Sequence, residues 1–266
     1  MSKQSRSLGF RINIWVYKLA HNWLHIVLTI LAIYVALPWA APTLAKAGLA
    51  GPANVIYTLY SPFCHQFAFR SVFLYGEQPF YPRGAADTDY RPFEDYAVES
   101  EAFIHEYQFW YTFYGQGNNP APPTIDDLQE FSVAQQIAAR HFIGDETLGY
   151  KTTLCARDVA IYTMIFIGGI IYWRFRWKIR PLPFLLYVFA GLGPIGLDGF
   201  SQLLGYPPFN FWAVRETEPF FRVATGGLFG LMSAWLGFPY IERSMQDTID
   251  QLTLKFRQAG YDIDEL

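Results

Sequence analysis

The sequence predicts an all-α integral membrane protein with four transmembrane helices, cytoplasmic N and C termini, and a small, mainly helical extracytoplasmic insert. Three observations lead there. Four stretches are apolar over about 20 residues, the length that crosses a hydrocarbon core. Lys and Arg cluster at 3–18 and again at 174–180. Acids collect in one block, 77–150, with thirteen acids against three arginines. A mean hydropathy of +0.11 averages over these unlike parts.

The composition also excludes. A net charge of -3 with 52% hydrophobic residues is unlike a disordered chain or a basic nucleic-acid binder, so no nucleic-acid partner is expected. Two cysteines rule out a disulfide-dense scaffold and an all-cysteine metal site within one chain.

Lys3, Arg6, Arg11 and Lys18 open the chain, and no formal charge follows from Leu19 to Ala45. A helix over 22–41 is predicted. A secretory signal also begins basic and turns apolar, but this apolar part is too long and lacks a small-x-small cleavage site. It reads as a retained span. Residues 47–69 carry no formal charge either, yet Gly48, Gly51, Pro52 and Pro62 interrupt them. An interfacial helix over 53–60 and a short helix over 65–75 are predicted, lying against the bundle. In the acidic insert, helices are expected over 93–114 and 124–143, the second opened by Thr124 and Asp127 in capping-box spacing.

Three more spans follow at 155–173, 181–205 and 220–241. The last is lined by Gly and Ala, which suit close helix packing in lipid. The basic loop 174–180 and the basic N-terminus both belong on the cytoplasmic side. Residues 42–154 then lie outside. The units are 1–76 (basic N-terminus, first span and outer interfacial segment), 77–150 (acidic subdomain), 151–241 (spans two to four) and 242–266 (cytoplasmic tail). Trp23, Trp39, Trp173, Trp177, Trp212 and Trp235 are expected near span ends as interfacial anchors. Tyr96, Tyr107, Tyr111 and Tyr114 are expected to pack on the membrane surface or grip a partner.

Topology gathers the unusual polar residues in one layer. Cys64 and His65 follow Pro62, and Cys155, Arg157 and Asp158 open the second span. Asp198 lies seventeen residues past Pro181, about 26 Å of helix, with Gln202 one turn on. Arg222 and Thr225 open the fourth span. Ionisable groups at membrane depth are costly unless paired or set in a wet cavity. Arg157, Asp158, Asp198, Gln202, Arg222 and Thr225 are therefore the candidate catalytic set. The plain alternative is a set of ion pairs and caps that clamps the helices.

The cysteines have three readings. Cys64 and Cys155 could form a disulfide across the insert. Cys64, His65, Cys155 and Asp198 could bind zinc. One cysteine could be a thiolate nucleophile activated by Arg157 or a helix N-terminus. His21 and His25 share a helix face far from this layer, with no axial partner at their depth, so haem is not expected. Glu101, His105 and Glu106 read as a solvated face. The glycine-rich 191–199 run reads as an unwound section presenting Asp198. Asn118-Asn119-Pro120 is not a glycosylation acceptor.

C-H-Q at 64–66 with Arg70, C-A-R-D at 155–158 with Tyr162, D-G-x-x-Q at 198–202 and R-x-x-T-G at 222–226 together resemble a prokaryotic family of small predicted membrane proteins of unknown function. The resemblance covers 55–76 and 153–240. It implies a multi-pass protein of the prokaryotic cytoplasmic membrane, and it lends no reaction. Family members keep the Cys-His and Cys-x-Arg elements closer together and commonly carry a further Cys where this chain has Asp158.

Three functions fit. The sequence favours an accessory or assembly subunit of a larger membrane complex, with lipid and other membrane subunits, or a second copy, as partners. The alternative is a membrane enzyme acting on a lipid-linked or anionic amphipathic substrate, possible with zinc. A small transporter through Asp198 is the third.

Overall fold

In the computed structural model, residues 8–114, 117, 120–176 and 178–261 are described. Lys3, Arg6, Asn118, Asn119 and Trp177 lie outside them. Helix α1 runs from Leu8 to Lys46, well beyond the expected 22–41. Nothing in the basic segment breaks it, and Pro38 and Pro42 are absorbed near its end. At 1.5 Å per residue it is about 58 Å long, nearly twice a hydrocarbon core.

The extra turns find a partner at the other end of the chain. Helix α9 spans Pro219–Gln258. It absorbs most of the expected tail, because Leu252 and Phe256 continue an apolar stripe at i, i+4 spacing and are buried. Phe10 and Tyr17 of α1 meet the Phe256 ring at centroid distances of 5.6 and 5.9 Å.

Between them lie α7 (Ala156–Phe175) and α8 (Phe184–Leu203). By length and composition, α1, α7 and α8 could each cross a membrane. Along α8, Phe189 and Leu197 stand 74% and 75% exposed, as lipid-facing side chains do. This is an integral, multi-span membrane protein. Helix α9 is longer but less apolar, because small residues line its contact with α7. A Cβ on Gly226 would sit 2.6 Å from the Arg157 carbonyl oxygen, and one on Gly230 would sit 2.2 Å from that of Ile161. Only glycine permits that approach.

The expected unwound stretch in α8 is instead continuous helix. A π-helical turn at Tyr187–Leu192 precedes Pro194, whose missing N–H breaks the regular ladder and is accommodated by the wider turn.

The segment after α1 meets expectation in its first half only. Helix α2 (Ala50–Tyr60) is about 17 Å long, too short to span, and lies on α1, where the Tyr60 hydroxyl donates to the Tyr34 carbonyl at 2.7 Å. No helix covers 65–75. A single 3-10 turn at Ala68–Arg70 leads into strand β1 (Ser71–Leu74). With β2 (Gly144–Asp145) and β3 (Gly149–Cys155) it forms an antiparallel sheet in the order β1-β3-β2. The sequence reading missed this sheet, since strands this short show little alternation. Gly149, at φ +74, turns the chain where a Cβ would strike the Leu74 carbonyl at 2.2 Å.

The two insert helices become four. The 93–114 stretch splits into α3 (Phe93–Ala97) and α4 (Glu101–Phe113), because the Ser100 side chain accepts the Phe103 N–H and starts a new helix. Ser132 likewise separates α5 (Ile125–Gln129) from α6 (Val133–His141). The Thr124–Asp127 capping box forms as expected. Phe67, Phe69, Phe73, Phe93, Phe103 and Phe142 build the insert's core. Tyr96 and Tyr107 join that core and are buried, so they are not free to grip a membrane or partner. Trp23 is buried as well, donating to Glu242 at 3.1 Å, rather than anchoring an interface.

Candidate metal and arginine centre

Strand β3 delivers Cys155 to the first turn of α7, where it is the N-cap in extended conformation. Arg157 and Asp158 follow on that turn. The loop after α2 brings Cys64 alongside. Its sulfur accepts the Cys155 N–H at 3.2 Å and the Gln66 N–H at 3.4 Å. The Cys155 thiol donates to Asp158 Oδ2 at 3.1 Å. Donor atoms of Cys64, Cys155 and Asp158 all lie within 4.8 Å of one another. Both cysteines are free thiols. Its side-chain hydrogen bond to Cys155, followed by burial, pushes the Cys64 thiol above its ordinary range.

Loop geometry depends on a buried lysine. Gln66 sits at φ +55, a conformation that costs a non-glycine residue energy. The Lys151 ammonium donates to the carbonyls of Gln66, Ala139 and Arg140 at 2.6, 3.0 and 2.6 Å, tying the loop to β3 and α6. Burial pulls this lysine down to about 7.

The group that could hold a metal shares Cys64 and Cys155 with the set expected from the sequence. Asp158 is in it; Asp198 and His65 are not. The Asp198 carboxylate is instead gripped by Arg157 and lies 3.5 Å from Arg215, with the Thr217 hydroxyl donating at 2.8 Å. His65 borders the same cavity of about 260 Å³ as the cysteines, with its ring 5.4 Å from that of Phe67.

Gln202 and Arg222 join a second network. Arg222 donates to Gln202 Oε1 at 3.2 Å, to the Thr217 carbonyl at 3.1 Å and to Glu216. Glu216 also receives Arg70 at 2.6 Å, the Tyr206 hydroxyl at 2.7 Å and Gln202. Thr225 stands apart. Its hydroxyl donates to the Phe221 carbonyl at 2.7 Å, an ordinary intrahelical bond.

Glu216, Tyr206, Thr217 and Lys151 were missed by sequence reasoning, and Arg70 was seen only as part of a motif. An acid three residues before Pro219 and six before Arg222 was the available signal. Burial alone would raise the Glu216 carboxyl, but Arg70 and Arg222 together hold it below its ordinary 4.5. Arg70 is lifted in return, the Glu216 charge outweighing burial.

Fold and site together define a multi-span membrane protein with a Cys/Cys/Asp group beside an arginine-rich cavity at one end of its helix bundle. Residues 136–236 match a family described as predicted membrane protein (DUF2085). That match contains β3, the Cys155–Asp158 turn, Asp198, Gln202 and Arg222, but not Cys64 or His65. It carries the membrane class and names no reaction. No curated protein and no solved structure matches the chain.

Proposed function

We infer that this chain is a membrane enzyme whose centre binds a zinc-like ion through Cys64, Cys155 and Asp158 and acts on an anionic amphipathic substrate. The observation that carries it is the close approach of three ligand atoms around a cavity. Tetrahedral zinc with sulfur at 2.3 Å sets its ligand atoms about 3.7 Å apart, within the 4.8 Å span found here. Two backbone N–H groups point at the Cys64 sulfur, and the charge of a bound ion would offset the burial that otherwise keeps this thiol protonated. Three protein ligands leave one position open, the pattern of catalytic rather than structural zinc.

Bound there, the ion would supply Lewis acidity at the cavity wall. The protein's own contribution is positioning. Arg157, fixed by Asp198, and Arg222, fixed by Glu216, hold positive charge over the cavity, and His65 stands on its rim to accept or deliver a proton. This geometry favours an enzyme over the accessory subunit that the composition suggested.

The orientation follows from the basic clusters. Four spans, counting the Gly-rich half of α9, place both termini in the cytoplasm and the centre at the outer face of a prokaryotic cytoplasmic membrane. Metal titration of purified variants tests the ligand set. Cys155→Ser and Asp158→Asn should each lose zinc binding, whereas Asp198→Asn should keep it. Loss in Asp198→Asn with retention in Asp158→Asn would overturn the assignment.

A further inference from the structure

Behind the cysteines, a second cavity of about 350 Å³ shares His65, Arg70, Arg157 and Arg222 with the first. These arginines are only partly used. Arg70 holds Glu216 through Nη2, and Arg157 holds Asp198 through Nη2. On each guanidinium the parallel donor on that edge, Nε, is buried and takes no hydrogen-bond partner among the described residues. Buried charged donors left without an acceptor are costly, and both arginines line the same two cavities.

The charges do not balance either. Arg70, Arg157, Arg215 and Arg222 share two carboxylates, Asp198 and Glu216. Asp158 adds one negative charge beside Cys155. One positive charge remains. It remains equally if two thiolates, Asp158 and a divalent ion form the metal centre, because that group also carries -1.

An apolar surface lies on the other side of Asp198. An open groove of about 600 Å³ between α8 and α9 is walled by Pro194, Leu197 and Phe221, with Asp198 and Arg215 also on its wall. Asp198 is thus held by Arg215 on the groove side and by Arg157, which borders the cavities.

We propose that the unpartnered Nε donors of Arg70 and Arg157 help bind a phosphate group, as a lipid headgroup ester or as free phosphate. Planar guanidinium donors suit phosphate oxygens, and a phosphodiester supplies the single negative charge that is missing. The inference deepens the enzyme reading by naming its substrate's anionic group, yet the pocket rests on the arginines and not on the metal.

The test uses the full chain in phosphate-free detergent. Inorganic phosphate and short-chain phosphatidylglycerol are titrated separately, with binding read by native mass spectrometry and by melting temperature. At least one should bind and raise the melting temperature, and Arg70→Lys and Arg157→Lys should each weaken binding at least tenfold. Lysine keeps the charge and the ion pairs, so a folded variant is available for comparison. Lipid binding alone assigns a headgroup site, and phosphate binding alone assigns a free-phosphate site. No binding of either to folded protein, or unchanged affinity in both variants, overturns the proposal. A chain without zinc that still binds phosphate would sink the metal reading and leave this one standing.

Discussion

Glu216→Gln is the most revealing single change in the polar network. The glutamine preserves size and one acceptor oxygen while removing the charge. In the native protein this carboxylate is 3% exposed and receives Arg70, Arg222, Tyr206 and Gln202. Two guanidiniums therefore lose their shared counter-charge at once. Hydrogen bonds to charged groups contribute about 1.5–3 kcal/mol each, and breaking one side of a buried pair costs about 3–5 kcal/mol. The glutamine oxygen retains one of the two arginine contacts, so a loss of about 3–4 kcal/mol is expected. Equilibrium unfolding in mixed detergent micelles, followed by tryptophan fluorescence, measures it.

The pH dependence gives an internal control. Because the folded-state value is depressed, the carboxylate's contribution is fully present above its unfolded value. It disappears as pH falls through the lower folded value. The gap between wild type and Glu216→Gln should thus be constant at neutral pH and close in acid. A neutral-pH difference under about 1 kcal/mol, well below that of a broken buried pair, would refute the view that this one carboxylate neutralises both arginines.

Other changes test the frame around the site. Gly226→Ala should destabilise by about 1–3 kcal/mol through overpacking against the Arg157 carbonyl, whereas Gly237→Ala, with open space around it, should be neutral or stabilising in the same unfolding assay. Lys151→Met should cost about 2–4 kcal/mol by leaving three carbonyls without their donor. Since burial lowers Lys151 to about 7 from 10.5, the unfolded chain binds the extra proton between those values. Wild-type stability relative to Lys151→Met should therefore rise with pH across that window and stay flat below it. Removing metal with a chelator should lower the melting temperature of the wild type and leave that of Asp158→Asn unchanged, as scanning calorimetry would show.

The membrane class was legible because charge and apolarity are segregated along the chain. Periodicity also yields height along a helix, which is why Arg157, Asp198, Gln202 and Arg222 could be placed in one layer. It does not yield the direction in which a side chain points across the bundle. Asp198 has the right height for a ligand, but the structure turns it to Arg157 and Arg215, and Asp158, one turn from Cys155, takes the place beside the sulfurs. Glu216 was illegible for a different reason: it sits in a loop, where no period applies. The split helices hinged on two serines whose capping role depends on the backbone turning at Ser100 and Ser132. The sheet hinged on pairing between residues some eighty positions apart, such as Ser71 and Cys155.

The proposed metal centre would be sulfur-rich and face an arginine-lined cavity. Zinc-edge X-ray absorption on protein purified without added metal, with elemental analysis and thiol counting on the same sample, tests it most directly. One zinc per chain is expected, with two sulfurs at about 2.3 Å and lighter atoms at about 2.0–2.2 Å. Both cysteines should become reactive once the metal is chelated. A metal-free protein whose two cysteines stay blocked until reduced would contradict it and show a disulfide in its place.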